Sequence, residues 1–214
     1  MRLTKLPHAC VRLEQDGATL VVDPGVFSEA AEALRGADAV LVTHEHPDHL
    51  DVGHLAATDA PIWTIGAVRA QIAEQDPAVA ERVTVVGPGD RVDVGLPATV
   101  VGERHAVIHP DIPRIDNSGY LLDVDGVVLY HPGDSFTPAG APVDVLLLPV
   151  HAPWSKIAEV ADFSRAVGAK RSVAIHDGLL NDNGHTIVGR VLGGLLDTDD
   201  HRYERLPPGT DLSL

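Results

Sequence analysis

Apolar residues follow two different spacings along the chain, and the two spacings alternate. Short continuous or alternating apolar runs are typical of strands, whereas apolar residues three and four positions apart are typical of helices. The runs predict strands at Ala9–Glu14, Thr19–Asp23, Ala39–Thr43, Ile62–Ile65, Val83–Val86, Arg91–Val94, Ala98–Glu103, Gly119–Val124, Val127–His131, Val145–Pro149 and Ser172–His176. The longer spacing predicts helices at Ser28–Arg35, His49–Ala57, Ala67–Glu74, Ser155–Val167 and His185–Leu196. N-cap residues are expected at Ser28 and Asp48, and Ser155 is a weaker candidate.

Two segments of the chain resemble each other. ACVRLEQDGATLVVDPG and GYLLDVDGVVLYHPGD both read as strand, Asp-Gly turn, strand and then X-Pro-Gly. Asp-Gly between apolar runs is a hairpin signal. Two halves built alike predict two stacked β-sheets with helices outside them, although Asp-Gly hairpins also recur by chance in β-rich proteins. No linker divides residues 1–214, so a single domain is expected.

Composition limits the class of protein and its partners. The 214 residues are 44% hydrophobic and 22% charged, which is typical of one globular domain. No apolar run approaches the roughly 20 residues that span a bilayer, and the first residues lack a secretory signal. The lone Cys10 excludes an internal disulfide. These features predict a cytoplasmic protein without a membrane partner.

The net charge makes one further class of partner unfavourable. The chain carries 16 basic and 31 acidic residues, a formal charge of −15, and has no basic run. Such a surface repels phosphate backbones. We therefore expect a small-molecule substrate and no nucleic acid, and the oligomeric state is not indicated by the sequence.

The stretch THEHPDHLD concentrates metal-ligand side chains directly after an apolar run. In extended backbone His44 and His46 project to one side, while Asp48 and His49 begin the next helix and point back. Such groups are costly to desolvate unless something compensates them. The stretch therefore predicts two ligand pairs for two adjacent metal ions. The alternative is a helix N-cap at Asp48 among exposed loop histidines, which leaves three interleaved histidines unexplained.

Further ligand types follow other apolar runs. His105, Asp134 and His176 each come just after a predicted strand, at the ends where functional groups collect. Singly, each has another explanation, namely a buried histidine bonded to a carbonyl or a turn aspartate. His109 competes with His105 for the same role, and His105 is preferred because it follows the apolar run directly.

The order of these motifs resembles the metallo-β-lactamase superfamily. THEHPDHLD matches its His-x-His-x-Asp-His signature, and VVDPG, His105, PGDS and His176 follow its order. The opening LPHACVRLEQDGATLVVDPG looks most like the branch of ascorbate-6-phosphate lactonase-like hydrolases. The resemblance implies an α/β fold, a four-layer αββα sandwich over residues 1–214. It also implies one metal on His44, His46 and His105, a second on Asp48, His49 and His176, and Asp134 between them.

The resemblance also implies the chemistry. Two divalent ions, zinc with manganese or iron as alternatives, would share a water, lower its pKa and produce hydroxide. Asp48 would orient that hydroxide and accept its proton. A histidine at His46, where a redox di-iron relative would carry an acid, favours hydrolysis. The expected substrate is a small ester, lactone, amide or phosphodiester. A nuclease of the same fold and a non-catalytic, metal-retaining sensor are the alternatives.

Residues outside the ligand set could assist it. Asp23 would hold a ligand histidine by a hydrogen bond, or be a turn residue. His8 would approach the substrate. His151 would line the cleft, or cap the next helix. Trp154 and Lys156 open a predicted helix whose start could receive an anion, unless Trp154 belongs to the core and Lys156 is a solvated charge.

Overall fold

A computed structural model describes residues 2–102 and 104–212 of the chain. In chain order its strands are β1 Arg2–Lys5, β2 Val11–Gln15, β3 Ala18–Val22, β4 Ala39–Leu41, β5 Ile62–Thr64, β6 Val83–Val85, β7 Arg91–Asp93, β8 Pro97–Val101, β9 Gly119–Val124, β10 Val127–His131, β11 Val145–Pro149, β12 Arg171–Ile175, β13 Arg202–Glu204 and β14 Thr210–Leu212. The helices are α1 Ala30–Ala33, α2 Val52–Leu55, α3 Gly66–Gln75, α4 Pro77–Ala80, α5 Ile157–Val167 and α6 Asp182–Leu196.

The described strands form two seven-stranded sheets with the same internal pattern. The first has the order β14-β1-β2-β3-β4-β5-β6, and the second has the order β7-β8-β9-β10-β11-β12-β13 when read from its antiparallel edge. In each sheet the first four strands pair antiparallel, and the remaining pairs are parallel. The hairpins β2–β3 and β9–β10 occupy equivalent places. The predicted duplication is therefore present in the topology.

Three apolar layers hold the sheets and helices together. The central layer lies between the sheets and includes Leu20 of β3 and Leu129 of β10. A second layer packs α1 to α4 on the outer face of the first sheet, and a third packs α5 and α6 on the second sheet. Helices and a facing sheet cover both sides of β11, so Val145–Pro149 is buried throughout. The αββα prediction is confirmed.

Two predicted helix starts are wrong. The first helix is reduced to α1, and its N-cap position is Glu29, because the Ser28 hydroxyl donates to the Gly25 carbonyl at 2.7 Å instead. The second helix begins only at Val52, where the Asp51 carboxylate accepts the His54 N–H at 3.1 Å. Asp48 is thus not an N-cap, and its carboxylate is free for other contacts.

The remaining differences concern short elements. Helix α5 begins after Lys156 rather than at Ser155, and α6 begins three residues earlier than predicted, with the Asn181 side chain as its cap. Strands β1, β13 and β14 and helix α4 were not predicted from the sequence. The predicted strand end at Glu103 lies outside the described residues. Across the described part of the chain, every helix is too short or too polar to cross a bilayer.

Candidate metal centre

The predicted ligands meet at one edge of the sandwich because their strands end there. The THEHPDHLD stretch follows β4 in the first sheet, whereas His105, Asp134 and His176 follow β8, β10 and β12 in the second. Among the described residues, two groups have potential ligand atoms that all lie within 4.8 Å of one another. One group contains His44, His46, His105 and Asp134, and the other contains His8, Asp48, His49 and His176.

The Asp134 carboxylate lies between the two groups. Its Oδ2 is 3.4 Å from Nε2 of His105 in its own group. Its oxygens also lie 3.1 Å from Nε2 of His49 and 3.1 Å from Nε2 of His176 in the other group. Nε2 of His176 is in turn 3.4 Å from Oδ2 of Asp48. Asp134 therefore lies close to both groups, and the bridging role that the resemblance implied for it stays a prediction.

Hydrogen bonds at the far side of the rings fix which nitrogen carries the proton. Nδ1 donates to an oxygen that can only accept, from His49 to Asp23 at 2.7 Å, from His105 to the Ala106 carbonyl at 2.6 Å and from His176 to the His151 carbonyl at 2.6 Å. In the neutral imidazole the other nitrogen, Nε2, then offers a lone pair. These three buried Nε2 atoms and Oδ1 of Asp134 have no hydrogen-bond partner. Such a convergent set of unpaired acceptors fits a metal ion.

Asp23 organises the first of the strand-end loops. Its buried carboxylate accepts the backbone N–H of Thr43 at 2.8 Å and the Thr43 hydroxyl at 2.8 Å, besides Nδ1 of His49. Because the Thr43 hydroxyl donates to Asp23, its oxygen accepts from Nδ1 of His44, 3.0 Å away. The expected hydrogen bond between Asp23 and a motif histidine is present, with His49 as the donor, and Thr43 links Asp23 to a second histidine, His44.

His8 differs from the other histidines of the cluster. Its Nδ1 accepts the backbone N–H of Gly178 at 3.2 Å, so its Nε2 carries the proton and donates to Oδ2 of Asp48 at 3.0 Å. The side chain is fully buried. Distance alone places His8 with the potential ligands, but its hydrogen bonds make it a positioning residue for Asp48. Its burial favours this role, and the expectation that it approaches the substrate stays a prediction.

His105 and His109, the two candidates for one ligand position, differ in their exposure to solvent. His105 is buried beside Asp134, whereas the side chain of His109 is 61% exposed and its Nδ1 lies 3.6 Å from a carboxylate oxygen of Asp111. The loop that begins after Ala106 leaves the sheet, so the strand does not continue and His109 does not return to the same side. Only His105 is therefore in a position to join the cluster.

The segment before α5 contacts the cluster in ways that differ from expectation. His151 takes part through its carbonyl, which accepts from His176. The indole N–H of Trp154 donates to Oδ2 of Asp134 at 3.0 Å, so this half-buried ring belongs neither to the core nor to an anion site. Lys156 is exposed, and its Nζ lies 3.0 Å from Glu159. The helix start predicted to receive an anion is thus already paired with its own carboxylate.

Burial and charge shift the pKa values of the cluster in opposite directions. Burial lowers the pKa of His44 well below its usual value. Burial alone would also lower the pKa of His176, but the carboxylates of Asp134 and Asp48 raise it to about 9. Burial would raise the pKa of Asp134, yet the charges of His49 and His176 hold it well below the usual range. The pKa of Asp48 is lowered as well, despite burial, by the neighbouring rings of His176 and His8. Both carboxylates therefore stay ionised at neutral pH, as cation binding requires.

A buried ion pair next to the cluster was not predicted. Nζ of Lys5 lies 2.5 Å from Oδ1 of Asp177, and both side chains are buried. Arg205 approaches the other oxygen of Asp177 at 3.4 Å. Asp177 follows His176, whose φ of 55° lies in the left-handed region that side chains rarely adopt. The pair therefore fixes the backbone next to His176. Its lysine lies in β1, a strand with too few apolar residues to be recognised.

Comparison with known proteins agrees with this geometry. The model of the β-lactamase superfamily domain matches residues 2–176 of the chain. The chain belongs to the metallo-β-lactamase superfamily. Protein Rv0786c of Mycobacterium tuberculosis is 39% identical over 208 residues, 93% of this chain and 94% of that protein. The UPF0173 metal-dependent hydrolase PF1764 of Pyrococcus furiosus is 31% identical, over 70% of this chain and 72% of its own.

Solved structures with little sequence identity to the chain share its fold. The metallo-β-lactamase fold protein YhfI from Bacillus subtilis superposes with a TM-score of 0.75 at 15% identity, and 99% of each chain is covered. Igni18, a metallo hydrolase from Ignicoccus hospitalis, gives a TM-score of 0.71 at 19% identity over 99% of this chain and 97% of its own. The matching domain model confirms the predicted superfamily, and the resemblance to the ascorbate-6-phosphate lactonase-like branch stays a prediction.

Proposed function

We propose that this protein is a hydrolase that uses two divalent metal ions to cleave a small ester, lactone, amide or phosphodiester. The supporting observation is the set of buried Nε2 atoms of His49, His105 and His176, which face Asp134 and lack hydrogen-bond partners. Buried polar atoms without partners are costly, and bound cations would satisfy all of them together. Membership of the superfamily supports the same class of activity.

The residues fall into two ligand sets. His44, His46 and His105 would hold one ion, and Asp48, His49 and His176 would hold the other. Asp134 would contact both. Imidazole and carboxylate ligands without cysteine suit zinc, with manganese or iron as alternatives. When bound, two such ions polarise a substrate oxygen and lower the pKa of water to about 7.

Asp48 is the side chain best placed to accept the proton of the attacking water. Its side chain is 19% exposed, whereas that of Asp134 is 3% exposed, so Asp48 is the carboxylate that water and substrate can reach. The hydrogen bond from His8 holds Oδ2 of Asp48. We assign Asp48 to orienting the attacking water and accepting its proton, and His8 to keeping the carboxylate in place.

The net charge of the protein favours a hydrolase of small molecules over a nuclease. A formal charge of −15 opposes the approach of a polyanion. In the described part of the chain, Lys156 beside Trp154 is already paired with Glu159. A small substrate is therefore favoured.

Metal analysis of the purified protein, together with turnover of an ester, lactone, amide and phosphodiester panel, tests the proposal. We expect two equivalents of metal and metal-dependent cleavage of at least one class. Asp134→Asn should lower both the metal content and the rate, whereas Asp162→Asn, a change of a 76% exposed side chain, should alter neither. If the loaded protein cleaves nothing and Asp48→Ala changes only ligand affinity, the non-catalytic alternative replaces this proposal.

A further inference from the structure

A cavity of about 400 Å³ lies beside the metal centre and takes no part in the functions assigned above. It is formed by the loop after His105, by Phe136 and by the segment that begins at Pro153. A volume of this size falls in the range of small-molecule sites.

The cavity is contiguous with the metal centre through one side chain. The ring of Trp154 lines the cavity, and its N–H donates to Oδ2 of Asp134. The same ring lies 5.7 Å from the ring of His105, measured between centroids. On the other wall, the backbone N–H of Ala106 donates to the Asp134 carbonyl at 2.7 Å. A substrate bound at the metals would therefore have this cavity as its immediate neighbour.

Part of the cavity wall is formed by large apolar side chains that are open to solvent. Val107 is 53% exposed and Ile108 is 36% exposed, although both are large aliphatic residues. Phe136 adds an aromatic wall, with its ring 5.1 Å from that of Trp154. Apolar surface that is left open beside a functional site is typical of ligand recognition.

The charged side chains and the serine hydroxyl that line the cavity have partners within the protein. Nζ of Lys156 is 3.0 Å from Glu159, and these are the two charged residues in the lining. The hydroxyl of Ser155 accepts the Ala152 N–H at 3.0 Å. The cavity thus offers apolar contact without an uncompensated charge, which disfavours a phosphate or a carboxylate in it.

We propose that this cavity receives an uncharged aliphatic or aromatic substituent of the substrate, so that the cleaved group is a carboxylic ester, lactone or amide placed at the metal centre. The inference rests on the proposed hydrolase function and narrows its substrate class. Trp154 forms both the cavity wall and a contact to Asp134, and it is therefore the residue that links occupancy of the cavity to the metal centre.

Ligand binding can be measured without turnover. The sequence has two tryptophans, Trp63 and Trp154, so Trp63→Phe leaves Trp154 as the single indole reporter. Zinc-loaded Trp63→Phe protein is titrated with acetohydroxamate, butyrohydroxamate, hexanohydroxamate and octanohydroxamate, which share one metal-binding group. We expect Trp154 fluorescence to change and affinity to rise by about fourfold for each methylene that becomes buried.

Two variants in that background separate the cavity from general hydrophobicity. Val107→Ser combined with Ile108→Ser should flatten the dependence of affinity on chain length. Ile187→Ser, at a 60% exposed position of α6 outside the cavity, should leave that dependence unchanged. Equal affinity for all chain lengths in the parent protein, or an unchanged dependence in the double variant, would overturn the proposal.

The rates on methyl esters of the same acids distinguish this proposal from the broader one. Cleavage with no preference for chain length, together with flat hydroxamate affinities, would remove the cavity proposal and keep the hydrolase. Chain-length-dependent binding without metal-dependent cleavage of any ester, lactone, amide or phosphodiester would remove the hydrolase and keep the cavity as an apolar binding site.

Discussion

Gly25 packs directly against the peptide that joins Asp48 to His49. A Cβ atom at position 25 would lie 2.1 Å from the carbonyl carbon of Asp48 and 2.4 Å from the His49 nitrogen, which is closer than atoms can approach. Backbone rather than a flexible side chain stands in the way. Position 25, in the loop between β3 and α1, therefore has to be glycine if these two side chains are to keep their places.

We expect Gly25→Ala to displace Asp48 and His49, lower the metal content and reduce the free energy of unfolding by about 1–3 kcal/mol. Metal analysis and urea denaturation would measure the two effects. The matched control is Gly189→Ala in α6, where nothing lies within 4 Å of the added methyl group. There, better helix propensity should stabilise the protein by up to about 1 kcal/mol. Full metal content in Gly25→Ala would contradict the packing argument.

Replacement of His8 tests its role as a positioning residue. We expect His8→Ala to lower kcat by about tenfold to a hundredfold with little change in KM, because Asp48 loses its donor. His8→Gln keeps an N–H donor and should recover part of the rate. Steady-state kinetics on the best substrate of the panel would measure both parameters. If His8→Ala raised KM alone, direct contact of His8 with substrate would be the better explanation.

The stability of the metal-free protein should depend on pH through His176. Its pKa is raised to about 9 in the folded state, against a usual value near 6.5. Its stabilising contribution is therefore complete below about pH 6.5 and is lost as the pH rises to about 9. His49, whose pKa is also raised despite burial by Asp134 and Asp23, acts in the same direction.

Urea denaturation of chelator-treated protein between pH 6.5 and 9 would measure this loss, which is on the order of 3 kcal/mol for His176. Zinc-loaded protein is the control. Bound zinc takes the place of the proton on His176, so the affinity for zinc should rise with pH and stability should not fall in the same way. Metal-free protein whose stability stays constant or increases over this range would contradict the proposed charge state of the cluster.

The buried pair of Lys5 and Asp177 should be far more important for stability than an exposed one. Lys5→Met removes one partner of a buried pair and should cost about 3–5 kcal/mol, reduced to the extent that Arg205 compensates Asp177. Lys170→Met breaks a pair of similar length, 2.7 Å to Asp144, but the lysine side chain is 78% exposed. We expect the second change to cost at most about 1 kcal/mol. Equal costs in urea denaturation would show that burial of the pair is unimportant.

Seven of the eight side chains that the structure brings together in the two groups were predicted as ligands, because the pattern that marks them is largely local. Three histidines and an aspartate within six positions of THEHPDHLD have few explanations other than metal binding, and strand ends deliver the rest. Strand β1, by contrast, reads RLTK, and two of its three buried residues are polar. Its burial depends on partners more than 170 positions away, which no local pattern reveals.

Competing uses of one residue type explain the other errors. Asp48 and Asp51 are both suitable N-cap residues for α2. The sequence does not show that the Asp48 carboxylate instead contacts His8 and His176, which leaves Asp51 as the N-cap. The contact of Trp154 with Asp134 is equally non-local. An indole before a helix predicts burial more readily than a hydrogen bond to a carboxylate, because the position of the acceptor depends on the packing of the two loops.

The two halves of the chain share the same arrangement of strands, but they carry different candidate ligands. The half built on the first sheet supplies His44, His46, Asp48 and His49, and the half built on the second supplies His105, Asp134 and His176. In consequence neither half has a full coordination sphere of its own. Metal ions bound between the halves would link one sheet to the other. Removal of the metal by a chelator should therefore weaken the contact between the two halves before either sheet unfolds.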